Sequence, residues 1–159
     1  MSQVMAGTEL TNVSHKQAIV QEDGQPALWT AMGGIEVPLC DAFKTWPLTI
    51  ELWGKFRGRD ESLVNVGRGD AYRWRLFAGM QGDFATGVRG YEPAIVWTSQ
   101  WMFDQKWHHV AFTFDGTNGH LYVDGVHQYE YTPKPLQNIA FQDGPLTIGT
   151  DVEIGRAHV

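Results

Sequence analysis

Residues 107–128 read Trp-His-His-Val-Ala-Phe-Thr-Phe-Asp-Gly-Thr-Asn-Gly-His-Leu-Tyr-Val-Asp-Gly-Val-His-Gln. Apart from Ala111, the first eight are β-branched, aromatic or histidine, with no breaker, a composition that fits a pleated, half-buried strand. Asp115-Gly116-Thr117-Asn118-Gly119 then supplies residues that bond their own backbone or tolerate positive φ, so the chain can reverse. His120 to Val123 forms a second strand, with Leu121 and Val123 on one face and His120 and Tyr122 on the other. Asp124-Gly125 follows between Val123 and Val126, and Asp-Gly between apolar residues is a strong hairpin signal. The stretch predicts a meander of antiparallel strands.

Working outward, residues 48–56 alternate: Leu48, Ile50, Leu52 and Phe56 share one face, and Thr49, Glu51, Trp53 and Lys55 the other. The first set reads as core, and Trp53 is expected to pack on the mixed face, over Lys55 or a residue of a neighbouring strand. Further strands are expected over Pro26–Met32 (Ala27, Leu28, Trp29), Ile35–Leu39, Ser62–Val66, Tyr72–Phe77, Phe84–Val88 and Ile95–Ser99. Arg57 to Glu61 reads as a charged surface turn. Arg68-Gly69-Asp70 matches an adhesion tripeptide, but the simpler reading is a turn whose glycines supply the needed conformations. Asn12-Val13-Ser14 matches a glycosylation sequon, a three-residue pattern that chance often produces.

The 159 residues suffice for one domain with a real core. With 43% apolar, 19% charged and 13% aromatic residues, the chain reads as globular and all-β. A net charge of −6 argues against nucleic acid as a partner, since that needs a basic patch. No apolar run approaches the length of a membrane span. Cys40 is the single cysteine, which excludes an internal disulfide and leaves an inert half-buried thiol as the default. The first residues show no signal-peptide pattern.

Chemistry is thin. His108 and His109 are adjacent in a strand and face opposite sides, so they cannot chelate one metal together. His120 and His127 flank a hairpin and could approach each other. No cysteine or carboxylate completes a zinc set at recognised spacing, and both read as surface histidines. No phosphate loop or nucleophile elbow is present.

The quoted motifs resemble the core of laminin G-like domains of the concanavalin A-like lectin and glucanase superfamily. Gly34-Ile35-Glu36-Val37-Pro38, Leu48-Thr49-Ile50-Glu51-Leu52-Trp53 and Pro145-Leu146-Thr147-Ile148-Gly149 resemble further strands of that domain, in order, so the resemblance covers roughly residues 24–151. It implies an all-β, two-sheet antiparallel jelly-roll sandwich over residues 24–152, preceded by a lead-in segment, 1–23. Residues 153–159 (Glu-Ile-Gly-Arg-Ala-His-Val) resemble a translated DNA-sequencing adapter and are set aside as a non-native tail. The family's usual last strand is then expected to be missing.

The superfamily's glucanases carry two glutamates and an aspartate alternating on one strand, because residues two apart face one cleft. Retaining hydrolysis needs two carboxyls about 5–5.5 Å apart. Asp60 and Glu61 are adjacent and diverge, while Glu51, Glu92 and Glu130 are isolated; Asp151 and Glu153 are two apart, but Glu153 lies in the set-aside tail. The expectation is therefore a non-catalytic carbohydrate- or surface-ligand-binding module of a larger extracellular or virion protein. Its partners would be a glycan or cell-surface ligand and the parent's other domains. The alternatives are a structural or adhesive interaction domain and a degenerate glucanase-like hydrolase. Candidate ligand residues are Tyr91 and Trp101, each beside a glycine or polar turn, then Trp97. Tyr72 and Trp74 form either a stacking surface or core. The resemblance also makes calcium possible as a cofactor, with Asp23, Asp41 and Asp115 as conceivable donors and no metal site assigned.

Overall fold

A computed structural model of the chain describes residues 11–12, 18–29, 34–56, 61–67, 69–79 and 81–149. Its centre is the meander: β11 (Trp107–Phe114), β12 (Gly119–Val123) and β13 (Val126–Tyr131), with β5 (Leu48–Lys55) on the far side of β11. These make a four-stranded antiparallel sheet in the order β13-β12-β11-β5. The β12–β13 turn has positive φ at both Asp124 (52°) and Gly125 (76°), the backbone that an Asp-Gly hairpin turn requires.

The second sheet has seven strands in the order β1-β4-β15-β6-β7-β8-β10. They are β1 (Thr11–Asn12), β4 (Ile35–Val37), β15 (Leu146–Ile148), β6 (Glu61–Val66), β7 (Trp74–Ala78), β8 (Phe84–Val88) and β10 (Ile95–Trp97). Two short ribbons accompany them among the described residues: β2 (Ala18–Glu22) with β3 (Gln25–Trp29), and β9 (Tyr91–Glu92) with β14 (Lys134–Pro135). All pairings are antiparallel. The architecture is the expected jelly-roll sandwich. Pairing also extends into the segment read as a lead-in, because Thr11 and Asn12 lie opposite Glu36 and Ile35.

Side-chain alternation explains why the sheets face each other. Val110, Phe112 and Phe114 of β11 meet Leu121 and Val123 of β12 on the inner face, all essentially buried. Across the gap stand Val66, Trp74, Leu76, Phe84 and Val88. Phe112 and Phe114 stack at 6.2 Å between centroids, and Trp46 and Tyr91 each meet Phe114 edge-on, at 4.6 and 5.1 Å. Such aromatic pairs add to area burial.

One expectation holds in part and one fails. Trp53 does lie over a neighbouring strand's residue, the His109 ring of β11 at 5.2 Å between centroids, but it stays 65% exposed because it points off the face turned away from the core. Tyr72 does not share a face with Trp74, because β7 begins only at Trp74 and a bend at Arg73 turns Tyr72 the other way. Its ring packs against Gly87, and the Arg75 guanidinium lies 4.6 Å from its centroid.

The residues of the Arg57–Glu61 turn before Glu61, Arg68 of the adhesion tripeptide, Val13 and Ser14 of the sequon, residues 30–33 and the 150–159 tail lie outside the described residues. Gly69–Ala71 forms a short 3-10 turn between β6 and β7. Among the described residues no helix is long and apolar enough to cross a membrane.

The packing makes a direct contrast. Phe112→Ala empties a fully buried site and is expected to cost about 3–5 kcal/mol. Trp53→Ala, on the open face, is expected to stay within about 0.5 kcal/mol. Denaturant melts of the two variants check this.

Candidate functional site

The aromatic candidates separate into three environments. Trp74 is core: it is 1% exposed and its Nε1 donates to the Phe43 carbonyl at 2.8 Å. Tyr72 is buried as well. The reading of this pair as a stacking surface is therefore corrected, because inward alternation and the Arg73 bend take both rings out of reach.

Tyr91 is half-buried and forms one wall of an open cleft of about 190 Å³. The cleft is lined by Phe43, Lys44, Trp46, Arg73, Trp74, Arg89 and Phe141 as well. Arg73 donates from Nε and Nη2 to Asp143 Oδ1, at 3.1 and 2.8 Å, with its guanidinium 4.9 Å from the Phe141 centroid. Those hydrogen bonds hold the Asp143 carboxyl below the usual carboxylate range. Arg89 donates from Nε to the Ala140 carbonyl, and Lys44 pairs with Asp41 at 3.3 Å. Three cations thus converge in a chain of net negative charge. The volume falls below the roughly 300–1,000 Å³ of enclosed small-molecule pockets, so the cleft suits one ring or one anionic group of a larger ligand.

Trp97 and Trp101 stand at the opposite end of β7 and β8. The run from Trp74 to Gly79, at ~3.3 Å per residue, separates the two places by roughly 16 Å. Trp97 is 43% exposed and Trp101 56%. Both rest on glycines of the β7–β8 turn: the Trp97 ring lies where a side chain at Gly79 would project, and the Trp101 ring covers Gly82. Any side chain larger than hydrogen would displace the rings, and Gly82 also needs its positive φ of 82°. Trp97 meets Phe77 edge-on at 5.0 Å. The Gly79 amide donates to the Asp83 carbonyl and the Met102 amide to the Gly82 carbonyl, at 2.8 and 2.7 Å, tying the two loops together. Gln81 and Gln100 are exposed beside the rings, and Asp83 is half-buried there. The result is a rim of two exposed indoles with polar neighbours.

The loop that carries Trp101 is anchored by a feature missed in the sequence. His108, buried at the end of β11, makes contacts from Nδ1 to Asp124 Oδ2 at 2.8 Å and from Nε2 to Asp104 Oδ1 at 2.9 Å. Asp124 Oδ1 also accepts from the His109 amide at 2.9 Å. Burial works against the charged imidazole, but hydrogen bonds to Asp124 and Asp104 outweigh it, and the His108 pKa is raised above 6.5. The His108 hydrogen bond in turn holds Asp104 down at about 2. Asp124 is also lowered: burial pushes it up, and the bonds from His108 and the His109 amide more than reverse that. The signal was the co-occurrence of Trp-His-His with Val-Asp-Gly, but only the register of β11 against β12 brings 108 and 124 together.

The conceivable calcium donors do not converge. Asp23 Oδ2 accepts from Lys55 Nζ and Trp107 Nε1, Asp41 pairs with Lys44, and Asp115 Oδ1 accepts from the amides of Thr117 and Asn118 within its own turn. A calcium cage needs six to eight oxygens around one point, and these three residues do not fit one. His120 and His127 do approach, at 3.3 Å between Nδ1 and Nε2. Contrary to the reading from spacing, a carboxylate joins them: Glu130 stands directly opposite His120.

Fold and site together define a two-sheet lectin-like sandwich with a basic cleft at one end and an aromatic rim at the other. The family profile described as the concanavalin A-like lectin/glucanases superfamily matches residues 30–158, and the chain belongs to that family of laminin G-like domains. No curated protein sequence matches the chain. Among solved structures, the binding domain of Paraclostridial Mosquitocidal Protein 1 superposes with a TM-score of 0.68 at 17% identity, covering 91% of this chain and 40% of that one. This chain thus spans well under half of that domain's length. Domain 4 of AbnA, a GH43 extracellular arabinanase from Geobacillus stearothermophilus, gives 0.61 at 14% identity, covering 90% and 73%. The CBM40 of the Ruminococcus gnavus IT-sialidase gives 0.55 at 13%, covering 94% and 84%. At such identities these likenesses establish the fold.

The His108 clamp predicts a pH dependence. With its folded pKa raised, the contribution of His108 is complete below 6.5 and is lost as pH rises through the folded value. Asp104, depressed from 3.8 to about 2, contributes fully above 3.8 and loses that as pH falls toward 2. The clamp's contribution is therefore greatest between 3.8 and 6.5. Thermal melts of the unmodified protein are expected to fall as pH rises above 6.5. His108→Gln should be less stable below 6.5, by about 1.5–3 kcal/mol for bonds to charged groups, and its melts should fall less steeply above it.

Proposed function

We propose that this chain is a non-catalytic carbohydrate-binding module of a larger extracellular or surface-displayed protein, and that Trp97 and Trp101 form its sugar-stacking surface. The observation that carries this is the pair of indoles, 43% and 56% exposed, held on two glycines of one turn beside Gln81, Asp83 and Gln100. Exposing two large rings at one rim costs hydrophobic burial, and such patches mark interaction sites. A flat ring face matches the apolar face of a sugar, and the amides and carboxylate offer partners for hydroxyls.

Neighbouring structures support the class of ligand. Domain 4 of AbnA was solved in complex with arabinotriose, and the CBM40 belongs to a sialidase. The non-catalytic part rests on the sequence, in which no pair of carboxylates outside the set-aside tail alternates on one strand as retaining hydrolysis requires.

Retention on a glycan array, followed by titration with the best ligand, tests the reading. Trp97→Ala and Trp101→Ala are each expected to weaken binding about tenfold, equivalent to about 1.4 kcal/mol, with Arg89→Ala neutral. Loss of binding in Arg89→Ala with both tryptophan variants unaffected would move the site to the basic cleft. An array without any binding would overturn the function itself.

A further inference from the structure

We infer that His120, His127 and Glu130 form a binding site for a divalent transition-metal ion, on the outer face of the four-stranded sheet. This inference is independent of the carbohydrate reading. One ligand atom from each residue lies within 4.8 Å of the other two. His120 Nδ1 and His127 Nε2 are 3.3 Å apart. Two nitrogens bound tetrahedrally to zinc at about 2.0–2.1 Å are about 3.3–3.4 Å from each other, so the imidazoles already hold the spacing of two ligands. A glutamate oxygen gives the third ligand, and a fourth position stays open to water.

The arrangement depends on a backbone irregularity. His127 and Glu130 are three apart, and in a regular strand they would point to opposite faces. The β12–β13 register breaks between Leu121 and Tyr122: Leu121 lies opposite Tyr129, but Tyr122 lies opposite His127. One extra residue on β13, Gln128, is absorbed there, a β-bulge that restores the parity of His127. His127 then stands with Tyr122, and Glu130 with His120, on one outward face. The Tyr122 ring contacts both imidazoles, at 5.1 Å from His127 and 6.4 Å from His120 between centroids, which limits their tilt. Two histidines and a carboxylate suit zinc, cobalt or a similar borderline ion better than calcium or magnesium.

The test is titration of the chelator-treated full chain with Zn²⁺, and separately with Co²⁺, whose visible absorption reports coordination. One saturable equivalent is expected at pH 7.5, reversed by chelator and lost below pH 6.5 as protons compete for the imidazoles. His120→Ala and His127→Ala should each raise the Kd at least tenfold, the double variant should abolish saturable binding, and Glu130→Gln should weaken it. His109→Ala, on the same face, should bind as the unmodified protein does. Zinc should also raise the melting temperature of the unmodified protein and not that of the double variant. No saturable binding, or equal binding by the double variant, would overturn the assignment. These residues are surface-lying, so metal-free melts close to the unmodified protein's would exclude misfolding as the cause.

Discussion

The imidazole of His108 sits between two carboxylates and joins three parts of the chain that packing alone leaves separate. Through Asp124 it closes the tight turn at the end of β12, and through Asp104 it fixes the loop between β10 and β11. The second carboxylate oxygen of Asp124 also takes the His109 amide, so the turn is bonded to β11 by side chain and by backbone. A charge this close to a core must be paired, because an unpaired buried charge is far more costly than a surface one. Two aspartates satisfy both ring nitrogens, and the loop that carries Trp101 inherits its position from that arrangement.

Around this clamp the sandwich divides its aromatic residues by strand parity and by end. Inward positions of β7, β8, β11 and β12 fill the space between the sheets with Trp74, Phe84, Phe112 and Phe114. Four further rings gather at the ends of β7 and β8, Tyr91 and Trp46 by the basic cleft, Trp97 and Trp101 over the glycine turn. Gly79 and Gly82 matter here because the indoles occupy the volume a side chain would take. The two ends offer different chemistry, one with three cations and the other with amides and flat ring faces. Sequence proximity gives little guide to this. Tyr91 and Trp97 are six residues apart in the chain, yet the short β9 and β10 carry them to opposite ends.

The open face of the four-stranded sheet is a third environment. Trp53 lies against His109, whose Nε2 is 3.5 Å from Glu51, and farther along stand Tyr122, His120, His127 and Glu130. Side chains on this face are free to meet one another, and a single bulge determines which do. Shifting register by one residue in a strand exchanges its faces, so a bulge changes the chemistry of a surface as surely as a substitution does.

The runs of β4 to β8 and β10 to β12, the Asp-Gly turn and the two faces of β5 and β12 were legible in the sequence by itself. Each rests on local rules: β-branched and aromatic runs, period-two alternation, and residues that tolerate positive φ. The family resemblance rested on the same local motifs. What only the tertiary structure decided was the company of each polar or aromatic side chain. His108 with Asp104 and Asp124, Glu130 with the two histidines, and Trp101 over Gly82 are contacts between strands or loops. The exposure of Trp53 and the placement of Tyr72 escaped the sequence for a related reason. Alternation tells which residues share a face, but whether that face is covered, and where a strand begins, depends on what the rest of the chain sets beside it.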